Sequence, residues 1–236
     1  MKRKLKIGAF VAGAIILILL FQYKIMENHS WKSWNLPLSG KVIYLDAGHG
    51  GPDGGAGDQG ALEKDIALKI TLKVRDYLQQ QGAMVILTRE EDVDLADKGT
   101  KGYSRRKTED LKKRLALINS SEADLFISIH LNSIPAPQWS GAQTFFAPQY
   151  EENKRAAKFI QDEFVKNLKN TNREAKAINS VYILKYAKKP GALVEVGFLS
   201  NPAERANLKK DGYQEKLAVS IYNGIMRYFT KESDLK

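Results

Sequence analysis

The hydrophobic pattern alternates between strand-like and helix-like segments along most of the chain. Short apolar runs predict strands at 41–46, 84–88, 124–131, 141–146, 181–184 and 192–196. Apolar residues spaced three and four apart predict helices at 63–80, about 104–119, about 150–168 and 213–229. Strands that alternate with helices predict one α/β domain, in which a twisted, mixed or mostly parallel sheet carries helices on both faces.

A separate apolar run precedes this domain. Residues 7–21 read IGAFVAGAIILILLF, and they follow a basic leader that contains Lys2, Arg3, Lys4 and Lys6. No small-x-small cleavage site follows the run, which favours an uncleaved signal-anchor over a removed signal peptide. We therefore predict an N-terminal membrane anchor helix at residues 1–24, a linker at 25–40, a folded domain at 41–230 and a tail at 231–236. By the positive-inside rule, the folded domain lies outside the cytoplasmic membrane.

Composition narrows the chemistry that the domain can use. The 236 residues include no cysteine, which excludes disulfides, thiolate metal sites and cysteine nucleophiles. The formal net charge of +10 favours anionic surroundings such as wall polymers or membrane surfaces, or it serves only solubility. The sequence carries no nucleic-acid-binding signature, and an external domain would not meet nucleic acid, so we do not expect nucleic acid as a partner.

Two of the three histidines lie directly after predicted strands. His49 follows the strand at 41–46 in a glycine-rich loop, and His130 ends the strand at 124–131. Ligand sites of such sheets form beyond the carboxyl ends of the strands, so both imidazoles can converge there. Glu63 begins the helix after the first loop and can supply a carboxylate. Two imidazoles and one carboxylate leave a fourth position for water, which is the pattern of catalytic zinc.

Each of these residues also has an ordinary explanation. Glu63 is a carboxylate in a first helical turn, where negative charge is favoured, and His130 fits a hydrogen-bonded core histidine. Their spacing matches no local zinc motif such as HExxH, so spacing alone leaves the metal site and the ordinary roles open. The loop at 55–60 satisfies GxGxxG, but no strand directly precedes it, and Asp53 and Asp58 would repel phosphate. A Walker lysine and a GxSxG elbow are both absent from the sequence.

Glu195 interrupts an otherwise apolar strand, ALVEV. An unpaired carboxylate in such a strand is unfavourable, and its raised pKa would suit a general acid–base. A buried salt bridge to an arginine is the alternative. A wall glycosidase would need two carboxylates, for which Asp46 and Glu195 are candidates, but that function leaves His49 and His130 unexplained.

Four motifs across residues 41–230 resemble those of one enzyme family. YLDAGHGGPDGGA, LEKD, LFISIHLN and ALVEVGFLSN occur in the order typical of zinc N-acetylmuramoyl-L-alanine amidases of the amidase-3 type. The resemblance implies that His49, Glu63 and His130 bind Zn²⁺ and that Glu195 is the catalytic carboxylate. The expected reaction is hydrolysis of the amide between N-acetylmuramic acid and L-alanine in peptidoglycan. A non-catalytic peptidoglycan-binding module of the same fold is the alternative, but all four positions are intact.

Finer features are most similar to the spore-cortex members of that family. The N-terminal run, WKSWNLPLSGK and KGYSRRK carry this similarity. It implies removal of peptide stems for muramic-δ-lactam formation and germination, a deacetylase that acts on the product, and a location between the forespore membranes. The sequence leaves open whether an accessory protein is needed to retain zinc. Ala47 stands where the family usually has proline, which we expect to loosen the His49 loop slightly.

Overall fold

The computed structural model describes residues 8, 12–20, 22, 36–58 and 60–230. The chain divides into two compact units, residues 1–36 and residues 37–236. In the first unit, residues 12–20 are helical. Within the described residues, no helix combines the length and the apolar character needed to cross a membrane. The predicted anchor at 1–24 lies largely outside the described residues, and the predicted tail lies entirely outside them.

The second unit is built on a mixed, six-stranded sheet in the order β2-β1-β3-β6-β4-β5. The strands are β1 (Val42–Ala47), β2 (Met84–Leu87), β3 (Leu125–Asn132), β4 (Gln143–Phe146), β5 (Lys176–Ala177) and β6 (Gly191–Phe198). Strands β2, β1, β3 and β6 are parallel to one another. Strand β4 runs antiparallel to β6, and β5 is parallel to β4. This confirms the predicted α/β domain with a mixed, mostly parallel sheet.

Helices cover both faces of the sheet, as the hydrophobic periodicity predicted. They are α1 (Glu63–Gln80), α2 (Tyr103–Ser120), α3 (Glu151–Leu168), α4 (Tyr182–Tyr186), α5 (Pro202–Leu208) and α6 (Asp211–Phe229). Ile43 and Leu45 join α1, α3 and α6 in one buried cluster, whereas Tyr44 joins α2 and α4 in the other. This alternation follows the two-residue period of a strand. Leu38, in the stretch predicted as a linker, is fully buried in the first cluster.

Three short elements differ from the sequence prediction. The strand predicted at 181–184 is wrong, because Tyr182–Tyr186 forms the helix α4. Adjacent Ile183 and Leu184 are both buried in one cluster, and so short an apolar run does not distinguish a helix from a buried strand. Helix α5 was not predicted, although Asn201 caps it by accepting the backbone N–H groups of Ala203 and Glu204. The two-residue strand β5 was also not predicted.

The sheet order creates a crevice at the carboxyl ends of the central strands. From β1 the chain first adds β2 on one side and then β3 on the other side. The loops after β1 and β3 therefore leave the sheet in opposite directions and open a space between them, where α/β proteins bind their ligands. His49 and His130 lie at this point.

Candidate active site

The loop after β1 holds His49 in an uncommon backbone conformation. Its φ of 60° lies in the left-handed region, which non-glycine residues seldom adopt. Arg114 Nη2 donates to His49 O at 2.6 Å, and Arg89 Nη2 donates to Gly48 O at 2.9 Å. Such strain persists only where the surroundings enforce it. The two buried arginines supply that constraint and fix the direction of the imidazole.

Three ligand atoms converge beneath this loop. His130 Nδ1 lies 2.9 Å from Glu63 Oε1, and His49 Nε2 lies 3.2 Å from the same oxygen. One ligand atom from each of the three residues lies within 4.8 Å of the others. Leu131 N donates to Glu63 Oε1 and Ala56 N donates to Glu63 Oε2, so the carboxylate is held from both sides. The structure thus brings together all three predicted metal ligands.

Glycines make room for these ligands. A Cβ at Gly48 would lie 2.5 Å from His130 Cε1, and a Cβ at Gly55 would lie 2.6 Å from Glu63 Oε2. Gly55 also has a φ of +68°, which a side chain would strain. Both positions therefore need glycine for the imidazole and the carboxylate to keep their places.

Asp53 orients the first histidine. Its Oδ2 lies 2.9 Å from His49 Nδ1, which leaves His49 Nε2 directed at Glu63. Tyr103 Oη donates to Asp53 Oδ1 at 2.8 Å, and Lys107 Nζ lies 3.0 Å from Asp53 Oδ2. A carboxylate behind a ligating histidine selects its tautomer and strengthens it as a ligand. Asp53 was not predicted as a site residue, and the one signal for it in the sequence is its position four residues after His49.

A buried ionic cluster supports the loop from the opposite side. Arg114 Nη1 lies 2.8 Å from Asp46 Oδ1, and Asp46 also accepts hydrogen bonds from Thr88 and Ser128. Burial favours the neutral acid, but Arg114 and these hydrogen bonds more than offset it and lower the pKa of Asp46. Because Asp46 is a fully buried, ion-paired carboxylate, it is not available as the second acid of a glycosidase.

Glu195 stands beside the ligand cluster. It is the direct register partner of His130 in the β3–β6 pair. Its Oε2 is buried and has no hydrogen-bond partner in the described part of the chain, although the side chain as a whole is partly exposed. Burial raises the pKa of Glu195 to about 7, and the nearby Glu63 adds to this effect against the histidines. The predicted salt-bridge alternative for Glu195 therefore has no counterpart among the described arginines.

The pKa of Glu63 is shifted in the opposite direction from that of Glu195. Burial alone would raise its pKa, but the hydrogen bonds and the charges of His130 and His49 lower it. The two carboxyl groups of this site thus differ in proton affinity. Glu63 is ionised and can act as a metal ligand, whereas Glu195 can exchange a proton near neutral pH. Such a division is a mark of a functional site.

Ala47, where the family usually has proline, lies in regular strand pairing. It is the register partner of Ile129, and its carbonyl accepts from Arg89 Nε at 3.2 Å and from Arg114 Nη1 at 2.7 Å. Gly48 N then donates to Ile129 O at 3.0 Å. These contacts fix the chain as it leaves β1 without a proline ring.

Comparison with known proteins identifies the family. The profile of the N-acetylmuramoyl-L-alanine amidases (Amidase_3) matches residues 43–227. The chain belongs to this amidase family. It is 60% identical over 234 residues to the germination-specific N-acetylmuramoyl-L-alanine amidase of Bacillus subtilis, and the match covers 99% of each protein.

Solved structures of other amidases share the fold. The CwlD amidase from Clostridioides difficile, solved in complex with the GerS lipoprotein, matches with a TM-score of 0.79 and 42% identity over 81% of this chain and 100% of that one. The catalytic domain of the amidase CwlV from Bacillus (Paenibacillus) polymyxa matches with a TM-score of 0.69 and 30% identity over 80% of this chain and 98% of that one. The predicted family is therefore confirmed.

Proposed function

We propose that this amidase cleaves the bond between N-acetylmuramic acid and L-alanine with a zinc ion held by His49, Glu63 and His130. The observation that carries the proposal is the convergence of the three ligand atoms within 4.8 Å, beside Glu195 Oε2, which has no hydrogen-bond partner among the described residues. Two imidazole nitrogens and one carboxylate oxygen form a ligand set typical of catalytic zinc, whereas Mg²⁺ and Ca²⁺ prefer oxygen ligands.

The chain's own residues then divide the proton transfers. When bound, zinc supplies Lewis acidity, which acidifies a water molecule and polarises the amide carbonyl. Glu195 accepts the proton of the attacking water at Oε2 and donates it to the leaving amine of L-alanine. In the metal-free site burial raises the pKa of Glu195 to about 7, so this carboxyl can both accept and donate a proton near neutral pH. Asp53 keeps the proton of His49 on Nδ1, so that Nε2 remains a ligand.

Product analysis tests this reaction directly. The full-length chain, purified in mild detergent and loaded with one equivalent of zinc, is incubated with cortex peptidoglycan. We expect free peptide stems with new L-alanine amino termini. New reducing ends would instead indicate a glycosidase, and the absence of any product would favour a non-catalytic binding module. Either result would contradict the proposal.

Metal analysis tests the ligand set. His130→Ala should lose stoichiometric zinc, because a site with one imidazole and one carboxylate has too few ligands. Arg105→Ala is a matched control, since Arg105 is exposed on α2 and forms no part of the site. Retention of one equivalent of zinc by His130→Ala would rule out His130 as a ligand.

The physiological role that we propose is stem removal during formation of spore-cortex muramic-δ-lactam. Its support is the 60% identity to a relative described as germination-specific. The product, a muramic acid without its stem, would then be the substrate of a deacetylase that completes the lactam. A deletion strain should form spores whose cortex lacks muramic-δ-lactam, and a normal lactam content would contradict this role.

We further propose that residues 1–24 anchor the enzyme in the membrane, with the catalytic domain outside the cytoplasm and, in a spore former, between the forespore membranes. The basic leader and the apolar run at 7–21 support this location. Alkaline phosphatase fused after residue 236 should be active, whereas inactivity would contradict an external domain.

An accessory protein is also proposed, because the Clostridioides difficile relative was solved in complex with a lipoprotein. It predicts that the chain purified alone, before any zinc is added, holds less than one equivalent of zinc. Full zinc occupancy without a partner would argue against this requirement.

A further inference from the structure

An arginine lies one strand beyond the catalytic carboxylate. In the antiparallel pair of β4 and β6, Gln143 is the direct partner of Glu195. Residues that are directly opposite in such a pair project from the same face of the sheet. Arg173 Nη1 donates to Gln143 Oε1 at 3.2 Å, and Arg173 Nε donates to Ser140 O at 3.2 Å. Gln143 therefore connects this guanidinium to the edge of the site that carries Glu195.

Two aromatic rings hold the guanidinium in place. Its Cζ lies 5.4 Å from the ring centroid of Trp139 and 5.4 Å from that of Phe198. Phe198 is buried, whereas Trp139 is 48% exposed on the loop between β3 and β4. Arg173 as a whole nevertheless remains partly exposed, so the two rings do not enclose it.

The segment that carries Arg173 is fixed before any ligand arrives. Thr171 Oγ1 donates to Ala142 O at 3.1 Å and accepts the backbone N–H of Arg173 at 3.2 Å. Gln143 Nε2 donates to Glu174 O at 3.1 Å. A fixed guanidinium loses little conformational entropy on binding a carboxylate, which makes this segment suitable for recognition.

In the described part of the chain, the charge of Arg173 has no carboxylate partner. Among the described residues, no ion pair involves Arg173, and its Nη2 has no hydrogen-bond acceptor. Glu204 is close enough to sense the charge of Arg173, but its oxygens already accept the backbone N–H groups of Gly141 and Phe198. By contrast, the structural residue Arg114 is paired with both Asp46 and Asp110. The free edge of Arg173 is thus available for an external anion.

We propose that Arg173, flanked by Trp139, binds a carboxylate of the peptide stem, on the second residue beyond the cleaved amide. This inference rests on the amidase function proposed above. Neighbouring strands are about 4.8 Å apart, so a group held at Gln143 stands roughly 5–10 Å from Glu195. The second stem residue is about 7 Å from the cleaved nitrogen at roughly 3.5 Å per residue. A guanidinium binds a carboxylate with two parallel hydrogen bonds, which selects charged stems over amidated ones.

Steady-state kinetics on three synthetic substrates test the subsite. The substrates are an N-acetylmuramoyl tripeptide with free carboxylates, the same compound amidated at the second residue, and the same compound amidated at the third. With full-length zinc-loaded enzyme, Arg173→Gln should raise KM for the free compound about 10- to 100-fold and change kcat little. Amidation of the second residue should raise the wild-type KM by a similar factor and abolish the effect of Arg173→Gln. Amidation of the third residue should have no effect.

Controls separate recognition from folding. Arg105→Gln, on the exposed surface of α2, should leave KM unchanged on every substrate. Arg173→Lys keeps the charge but loses the planar fork, so it should raise KM by a smaller factor and retain zinc content and melting temperature. Equal losses by Arg173→Gln on all three substrates, or a wild-type KM that does not respond to amidation at the second residue, would overturn the proposal.

The amidase function and the subsite can fail separately. If wild-type enzyme hydrolyses none of the substrates, the proposed reaction is wrong. Calorimetric binding of the free stem tripeptide to wild type and to Arg173→Gln then still tests the subsite, which requires weaker binding by the variant. Equal binding by both proteins would refute the subsite even in an active enzyme.

Discussion

Arg114 links the buried charge of β1 to the backbone that carries His49, and its loss should reveal both roles. Arg114 is 2% exposed and Asp46 is fully buried. In Arg114→Met the ion pair with Asp46 is lost, and so are the hydrogen bonds to Ala47 O and His49 O. Asp46 would keep only its hydrogen bonds from Thr88 and Ser128. Asp110, which is also buried, loses its ion pair with Arg114 as well. The variant therefore leaves two buried carboxylates without the arginine that they share.

The expected loss of stability follows from this burial. Removal of one partner of a buried ion pair destabilises a protein by about 3–5 kcal/mol, because the remaining charge is uncompensated. For a domain of this size, 1 kcal/mol corresponds to a change of about 2–4 °C in Tm. Arg114→Met should therefore lower Tm by about 6–20 °C. The double variant Asp46→Asn/Arg114→Met should lose less than Arg114→Met alone, since only Asp110 then remains as a buried carboxylate without its partner.

Denaturant unfolding of the zinc-free protein measures these differences, and zinc titration measures the effect on the site. The exposed Arg105→Met serves as the matched control and should change the unfolding free energy by no more than about 0.5 kcal/mol. Because Arg114 holds the carbonyl of His49, Arg114→Met should also bind zinc more weakly than the control. A loss below about 1 kcal/mol, or a double variant that loses the sum of both single effects, would refute this reasoning.

Three further variants test the site and its surroundings. Glu195→Gln should keep zinc and lose activity by about 100-fold or more. Burial raises the pKa of Glu195 from 4.5 to about 7, so the ionised carboxylate is less favourable in the folded than in the unfolded protein. Glu195→Gln should therefore stabilise the zinc-free protein by at most about 3 kcal/mol above pH 7 and not at all below pH 4.5. Unfolding measured across this pH range tests the prediction. Asp53→Asn should weaken zinc binding about 10- to 100-fold in a competition assay, and unchanged affinity would exclude its orienting role. Asn201→Ala should destabilise the domain by about 1 kcal/mol in thermal unfolding, because the cap of α5 is lost.

The sequence by itself determined the class of fold, and it predicted four site residues that the structure places close together. Apolar residues recur every two positions in a strand and every three to four positions in a helix. The long strands and helices from β1 to α6 could therefore be predicted from the hydrophobic pattern. Because carboxyl ends of parallel strands meet at one edge, the histidines after β1 and β3 could be expected to converge. The structure brings His49, Glu63 and His130 within 4.8 Å of one another, with Glu195 next to His130 in register.

Tertiary structure alone decided how these residues are supported and charged. Arg114 and Asp46 are 68 positions apart, and their pairing depends on α2 packing over β1. Arg173 lies three residues before the two-residue strand β5, and no hydrophobic periodicity indicates its contact with Gln143. The short helix α4 likewise takes its form from packing rather than from its apolar run. The local hydrophobic pattern reflects the period of each strand or helix. Side-chain burial, ion pairing and shifted pKa values arise only when segments that are distant in the sequence pack together and exclude water.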